Sequence, residues 1–198
     1  MRVIGLTGGV GAGKSLVLDI LEKEYGAEII KADEVSHELL EPGEAGYLAV
    51  RKIFGTGFFG SGGKLDRKRM ADLIFQDENA RKTVNGVIHP LVWKTIGEKI
   101  SSSNSALIVV EFAIMDGRPE DDYDELWFVR APEETRIRRL AENRGYTKEK
   151  SESIMASQYS EAEYLSHSDR VIENNGSVEE LRSCLAEIMQ GKREETIP

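Results

Sequence analysis

Residues 1–21 read MRVIGLTGGVGAGKSLVLDIL, and this stretch decides the fold class. The apolar and β-branched residues in 2–6 predict a short buried strand. A glycine-rich segment, 7–13, follows it, and apolar residues at helical spacing from Leu16 onward predict a helix that ends near Gly26. A strand, a glycine-rich loop and a helix in this order predict the start of a parallel α/β sheet.

The loop matches the P-loop pattern in full, as Gly8-x-x-x-x-Gly13-Lys14-Ser15. Glycines let successive backbone N–H groups turn toward a phosphate, and the helix that follows adds the positive end of its dipole. The pattern therefore predicts ATP or GTP with Mg²⁺, with Lys14 on the β- and γ-phosphates and the Ser15 hydroxyl on the metal. The residues predicted to hold the phosphates are Gly11, Ala12, Gly13, Lys14, Ser15 and Leu16. The alternative, a chance match in a glycine-rich turn, is disfavoured by the strand and the helix on either side.

Composition excludes several classes of protein. The chain has 198 residues, 40% of them hydrophobic and 31% charged, which predicts one compact domain or a core with an inserted subdomain, and excludes a disordered chain. No apolar run is long enough to cross a membrane, and a net charge of −9 disfavours nucleic acid as a partner. One cysteine, Cys184, excludes an internal disulfide and a cysteine cluster for zinc. The start lacks the pattern of a signal peptide, so a cytoplasmic location is expected.

The rest of the chain alternates between predicted strands and helices. Asp33 stands where a helix N-cap would, and Pro90 is expected to start or kink a helix that runs to about residue 100. Further strands are predicted at 27–30, 106–111, 126–129 and 170–172, and further helices at 65–75, from 133, at 148–158 and at 178–189. Five strands that alternate with helices predict an α/β fold with a parallel sheet.

Two acids follow predicted strands. In an open α/β sheet the strand exits face the ligand crevice, which places Asp33, about 20 residues past the loop, near the γ-phosphate. Asp33 is therefore either a base for an accepting hydroxyl or a plain N-cap, and the two roles are compatible. Glu111 ends an apolar run. It is either an acid near the water shell of magnesium or an acid at a strand end that faces solvent.

An arginine cluster late in the chain predicts either a mobile lid over the transferred phosphoryl group or a solvated helix face. Arg139 is the first candidate for a phosphate contact and Arg144 the second. His89 is a candidate for substrate binding or a structural histidine. Asn175, which follows the last strand, is a candidate wall for adenine or part of a common Asn-Gly turn.

The absence of an Asn-Lys-x-Asp guanine motif disfavours a GTPase, and the late arginines favour a small-molecule kinase. A nucleoside monophosphate kinase remains an alternative, and it would need no base. A second alternative is a regulatory ATP-binding protein without turnover.

Motifs along nearly the whole chain resemble those of the dephospho-coenzyme A kinase family. They are Gly5–Ser15, Ala32-Asp33, His37–Gly43 (HELLEPG), Asp66-Arg67, Phe75, His89-Pro90, Gln158 and Val171–Gly176. The Ala-Asp pair followed by HELLEPG and then His-Pro is far more specific than the P-loop alone.

The resemblance implies a P-loop NTPase three-layer fold with a five-stranded parallel sheet. It implies a core of 1–32, 105–135 and 165–198, a helical substrate-binding insertion at 33–104 and a lid at 136–164. It implies transfer of the ATP γ-phosphoryl group, with Mg²⁺, to the ribose 3′-hydroxyl of dephospho-coenzyme A, the last step of coenzyme A synthesis. Asp33 is implied as the base and Arg139 as a lid-side phosphate contact. A small-molecule substrate, no nucleic acid or membrane partner, and a monomer or weak homo-oligomer are expected.

The chain departs from the family pattern at five places. Lys31 replaces the first acid of Asp-Ala-Asp, and Leu16 replaces a threonine after the P-loop serine. The segment 112–115 (FAIM) stands where Pro-Leu-Leu is usual. Asn143 and Ser153 occupy positions where lid arginines are common, although Arg144 is adjacent to the first.

Overall fold

The computed structural model describes residues 1–60, 62–113 and 123–191. In it the first strand, the glycine-rich loop and the first helix form as the sequence predicts. The described strands are β1 Arg2–Thr7, β2 Glu28–Lys31, β3 Leu107–Glu111, β4 Glu125–Arg130 and β5 Arg170–Glu173. The described helices are α1 Lys14–Tyr25, α2 Ala32–Leu39, α3 Ala45–Phe54, α4 Arg67–Gln76, α5 Glu78–Ser102, α6 Glu133–Arg144, α7 Lys148–Ala156, α8 Glu161–His167 and α9 Val178–Met189. The predicted α/β fold with a five-stranded parallel sheet is confirmed.

The chain divides into two compact units. The core unit contains the described residues of 1–29, 104–113 and 123–191, and the helical unit contains 30–103. The boundary between them falls within β2.

The sheet has the strand order β2-β3-β1-β4-β5. β1 is central, and it pairs in parallel with β3 on one side and β4 on the other. Leu6, near the end of β1, lies opposite Glu111 of β3 and Trp127 of β4. Because parallel strands end at the same edge of a sheet, this register brings Glu111 beside the start of the P-loop.

One face of the sheet is buried by α1 and α9. Leu6 of β1, Val17 and Leu21 of α1 and Leu185 of α9 have no exposed surface, and Cys184 of α9 is buried in the same cluster. Each fully buried aliphatic side chain stabilises the fold by roughly 1.5–3 kcal/mol, so this packing holds α1, and with it the P-loop, on the sheet.

A charged network joins three strands at the opposite, amino-terminal edge. The Glu125 carboxylate accepts hydrogen bonds from Arg170 Nε at 2.7 Å and Trp127 Nε1 at 2.6 Å, and it pairs with Arg2 Nη2 at 3.1 Å. Burial acts to raise the pKa of Glu125, but these hydrogen bonds and the charges of Arg170 and Arg2 outweigh it, so the pKa lies below its usual value.

The helical unit is built around α5, which packs against α2, α3 and α4. Helix α5 begins at the N-cap Asp77, whose side chain accepts hydrogen bonds from the N–H groups of Asn79 and Ala80 at 2.8 and 3.0 Å. Of the two expectations for Pro90, the start of a helix is wrong, because this cap starts α5 much earlier. Pro90 lies inside α5, where a kink stays a prediction.

Two other local predictions need correction. Asp33 is not an N-cap, because β2 runs directly into α2 and Lys31, in an extended conformation, takes the cap position without a side-chain hydrogen bond. The helix predicted at 148–158 ends at Ala156, and a further helix that the sequence analysis did not predict, α8, follows. Gln158 therefore lies in the connection between α7 and α8. No helix within the described part of the chain is long and apolar enough to span a membrane.

Candidate active site

The P-loop joins β1 to α1 and needs glycine for two reasons. Gly11 and Gly13 have φ values of 78° and 93°, which side chains other than glycine rarely adopt. A Cβ atom at Gly11 would lie 2.9 Å from the carbonyl oxygen of Arg136, and one at Gly13 would collide with Asn174 Nδ2. The loop is therefore both turned and tightly covered by the elements that follow β4 and β5.

The backbone of Val10 is held from two sides. Arg136 Nε of α6 donates to the Val10 carbonyl oxygen at 2.8 Å. Gln158 Oε1 accepts from the Val10 N–H at 2.8 Å and from Arg136 Nη2 at 3.4 Å. Arg136, Gln158 and Val10, which we call the Val10 clamp, are thus connected to one another.

The carbonyl group of Ala12 is also held by two side chains. Asn174 Nδ2 donates to the Ala12 carbonyl oxygen at 2.8 Å, and Arg139 Nη1 donates to the same oxygen at 3.3 Å. Asn174 is 3% exposed, and its own N–H donates to the Arg130 carbonyl oxygen at 2.8 Å, which positions it at the end of β5.

These outward-facing carbonyls determine where the next N–H groups point. In a trans peptide the C=O of one residue and the N–H of the next point in opposite directions, so the N–H groups of Gly11 and Gly13 point away from the arginines, to the inside of the loop. The N–H groups of Gly11, Gly13, Lys14 and Ser15 have no hydrogen-bond acceptor among the residues that the structure describes. Such a set of inward N–H groups at a helix N-terminus is an anion site.

Lys14 supplies the positive charge of this site. Its Nζ donates to the Gly8 carbonyl oxygen at 2.9 Å and lies 3.5 Å from Glu111 Oε1. Both side chains are 15% exposed, so the pair lies at the rim of the loop and is within reach of a ligand. A cation, a carboxylate and free N–H groups on adjacent strand exits form a site for the phosphates of a nucleotide.

Comparisons with known proteins agree with this geometry. The model of the family described as dephospho-CoA kinase matches residues 2–180. The chain belongs to the dephospho-CoA kinase family. The family prediction and the predicted enzyme class are confirmed.

A curated relative named dephospho-CoA kinase, from Methylococcus capsulatus, is 38% identical over 176 residues, which cover 88% of each chain. A solved structure of a Thermus thermophilus protein aligns with a TM-score of 0.81 at 27% identity over 97% of this chain and 98% of that one. A structure of dephospho-CoA kinase from Campylobacter jejuni aligns with a TM-score of 0.69 at 22% identity over 96% of both chains, which supports the fold.

Arg136 and Arg139, the two arginines of α6 that contact the P-loop, are partly buried. Burial lowers the pKa of Arg136, and burial followed by the nearby charge of Arg138 lowers the pKa of Arg139. An arginine stays protonated under either influence, so both guanidinium groups remain charged. A partly desolvated cation attracts a phosphate more strongly than a solvated one, which favours nucleotide binding at this edge of the dephospho-CoA kinase fold.

Two other residues of the core unit that were predicted to contact the nucleotide, Arg144 and Asn175, are exposed. Arg144 is exposed in the last turn of α6, and within the described ranges no hydrogen bond joins it to the P-loop. Asn175 is exposed, while its neighbour Asn174 contacts the loop. The sequence analysis did not single out Asn174 or Arg136 for this contact. The sequence analysis listed Gln158 among the family motifs but predicted no role for it.

The departures from the family pattern have local explanations in three cases. The Leu16 side chain packs against the core cluster, and its N–H donates to the Gly13 carbonyl oxygen at 3.0 Å. Asn143 Nδ2 donates to the Arg139 carbonyl oxygen at 2.9 Å. Lys31 Nζ pairs with Glu34 at 2.8 Å.

Two further departures are Ser153 and the 112–115 segment. Ser153 is exposed on α7. In the 112–115 segment, residues 114 and 115 lie outside the described residues.

The helical unit carries the predicted acceptor-side residues. Asp33 is exposed in the first turn of α2. His89 is half-buried on α5. Arg67, at the start of α4, donates to the His37 carbonyl oxygen at 3.3 Å and to Glu41 at 2.7 Å, which fixes the carboxyl end of α2.

Proposed function

We propose that the protein transfers the γ-phosphoryl group of ATP to the ribose 3′-hydroxyl of dephospho-coenzyme A, giving coenzyme A and ADP. The observation that carries this proposal is the P-loop, whose inward N–H groups stand beside Lys14 in a chain that matches the dephospho-CoA kinase family over residues 2–180. The reaction breaks the bond between the γ-phosphorus and the β,γ-bridging oxygen. It forms a bond from the acceptor oxygen to the same phosphorus, and the hydroxyl proton is released.

The phosphate-side roles follow from the contacts. The residues that would surround the ATP phosphates are Gly11, Ala12, Gly13, Lys14, Ser15 and Leu16. The donors would be the backbone N–H groups of Gly11, Gly13, Lys14 and Ser15. Lys14 would exchange its bond to the Gly8 carbonyl for the β- and γ-phosphates. Arg139, already at the loop through the Ala12 carbonyl, is within the same cluster and would offset charge on the transferred group. We also assign Arg144 and Asn175 to ATP binding.

The residues of this edge fit a magnesium ion. Mg²⁺ prefers hard oxygen ligands and keeps several waters, and the Ser15 hydroxyl and the Glu111 carboxylate offer such oxygens. No cluster of three or more histidine, cysteine or acidic side chains that could hold a metal exists among the described residues, so the ion would depend on Ser15 and the ATP phosphates. When bound, Mg²⁺ supplies charge neutralisation to the phosphates.

On the acceptor side we propose that Asp33 accepts the proton of the 3′-hydroxyl or orients that hydroxyl, with His89 and Glu111 as substrate contacts. The exposure of Asp33 in the first turn of α2 supports this role, because its carboxyl group is accessible to a substrate there.

The proposed regions of the chain keep the boundaries given above, with 136–164 as the lid and 33–104 as the substrate-binding insertion. Residues 192–198 of the proposed core lie outside the described residues. We further propose a cytoplasmic location and a monomer or weak homo-oligomer.

The deciding experiment measures ADP release from purified protein with Mg-ATP, with and without dephospho-coenzyme A, and in parallel with AMP, UMP and adenosine. ADP formation with dephospho-coenzyme A alone is expected. Turnover with AMP or UMP instead would assign the chain to nucleoside monophosphate kinases. Saturable ATP binding without turnover on any acceptor would indicate a regulatory protein.

A further inference from the structure

We propose that Arg136 and Gln158 are positioning residues that fix the orientation of the peptide between Val10 and Gly11, and so determine the affinity of the P-loop for ATP. This inference rests on the proposed function only in taking ATP as the ligand of the loop. It assigns a role to two side chains for which the mechanism above has no use.

The argument begins with the direction of one peptide. Arg136 Nε holds the Val10 carbonyl oxygen at 2.8 Å on the side of α6. Since the peptide is planar and trans, the Gly11 N–H must then point the opposite way, to the inside of the loop. If the carbonyl were released, this peptide could rotate easily, because glycine at position 11 tolerates many backbone conformations.

Gln158 removes the competing orientation. Its Oε1 accepts the Val10 N–H at 2.8 Å, so this donor is turned away from the phosphate site and is satisfied. The same oxygen accepts from Arg136 Nη2 at 3.4 Å, which orients the guanidinium group. The amide oxygen therefore links the Val10 N–H to the same Arg136 guanidinium group that holds the Val10 carbonyl oxygen.

The clamp is also sterically defined. Gly9 lies against the Arg136 guanidinium, so that a Cβ atom at Gly9 would collide with Nη2 and lie 2.7 Å from Cζ. Gly9 does not have a positive φ, and alanine is therefore compatible with its backbone. A Gly9→Ala substitution would displace the guanidinium group, which is the mobile end of its side chain, without strain in the loop.

Arg136 and Gln158 lie near the two ends of the segment 136–164, to which we assigned the lid. The clamp therefore fastens both ends of this segment to the P-loop at a single residue, Val10. The position of that segment and the geometry of the phosphate site are therefore coupled through the backbone of Val10.

The test compares Arg136→Met, Gln158→Leu and the double variant in steady-state kinetics of ADP release. Each single variant is expected to raise the KM for ATP roughly 10-fold, the scale of losing one or two hydrogen bonds to buried or charged groups, with the KM for dephospho-coenzyme A unchanged. Because Gln158 orients the Arg136 guanidinium group and both side chains hold Val10, the double variant should be no worse than the poorer single one. Gly9→Ala should give the same change, and it should add nothing in the Arg136→Met background.

Arg138→Met, on the exposed side of the same helix, is the matched control and should leave the KM for ATP within about twofold. A merely structural role for the clamp would lower the active fraction, and hence kcat, without changing the KM for ATP. That result, or additive effects of the two single variants, would overturn the inference. A wild-type protein that binds ATP but has no turnover would contradict the proposed function instead, and the same comparison could then be made with the Kd for ATP.

Discussion

Lys14 Nζ, at the start of α1, lies 3.5 Å from Glu111 Oε1, at the end of β3. In this arrangement the P-loop lysine is already directed to the rim of the phosphate site, with its second contact on the Gly8 carbonyl. The ion pair therefore joins the residue that would bind the β- and γ-phosphates to the acid that would face the magnesium waters.

Lys14→Ala is expected to abolish phosphoryl transfer while leaving the fold intact. Removing a preorganised charge from the transferred group lowers the rate by at least about 100-fold, and the lysine is not part of the hydrophobic core cluster. ADP release and circular dichroism measure the two effects. Retained turnover would refute the assignment of the P-loop.

Glu111→Gln tests the other member of the pair. The variant keeps the size of the side chain but loses its charge, so we expect about 10-fold more Mg²⁺ to be needed for half-maximal turnover. A titration of the rate against Mg²⁺ at saturating ATP measures this. If the magnesium requirement does not change, Glu111 acts only as a partner of Lys14.

Asp33→Asn is expected to lower turnover much more than ATP affinity. A lost general base costs about 10²–10⁴-fold in rate, whereas Asp33 makes no contact with ATP in the proposed mechanism. Single-turnover rates together with the Kd for ATP separate the two quantities. Rates equal to those of the wild type would remove the role of base.

Asn174→Ala should destabilise the protein by about 1–2 kcal/mol, because the buried Ala12 carbonyl oxygen loses one of its two side-chain donors. Thermal unfolding followed by circular dichroism measures the change. Asn175→Ala is the matched control for stability, because the exposed Asn175 is expected to add little to the free energy of unfolding. Equal melting temperatures for Asn174→Ala and the wild type would contradict the importance of this contact.

Glu125 is expected to make stability depend on pH in the acid range. Its pKa in the folded state lies below the ordinary value of 4.5. A carboxyl group with a lowered pKa adds stability that is present above the unfolded-state pKa and is lost as the pH falls through the folded-state pKa. The melting temperature of Glu125→Gln should therefore be lower than that of the wild type at pH 7, and the difference should shrink below pH 4.5. Glu142→Gln, an exposed change on α6, should show no such convergence.

Local sequence patterns predicted the elements well where one signal dominated. The strand, loop and helix around the P-loop, the apolar strands β3 and β4 and the final helix α9 all formed where expected. The local predictions that were wrong involve competing signals. At Asp33 the missing spacer after β2 overrode a favourable N-cap residue, and at Pro90 the stronger cap at Asp77 started the helix earlier.

The sequence by itself determined the P-loop, its lysine and its serine, because their spacing of a few residues is a local property of one strand, one turn and one helix. Only the tertiary structure decided what holds that loop. Arg136, Gln158 and Asn174 reach it from positions 126, 148 and 162 residues away in the chain. No local pattern encodes such contacts, since they arise from the order in which parallel strands bring their exits to one edge of the sheet.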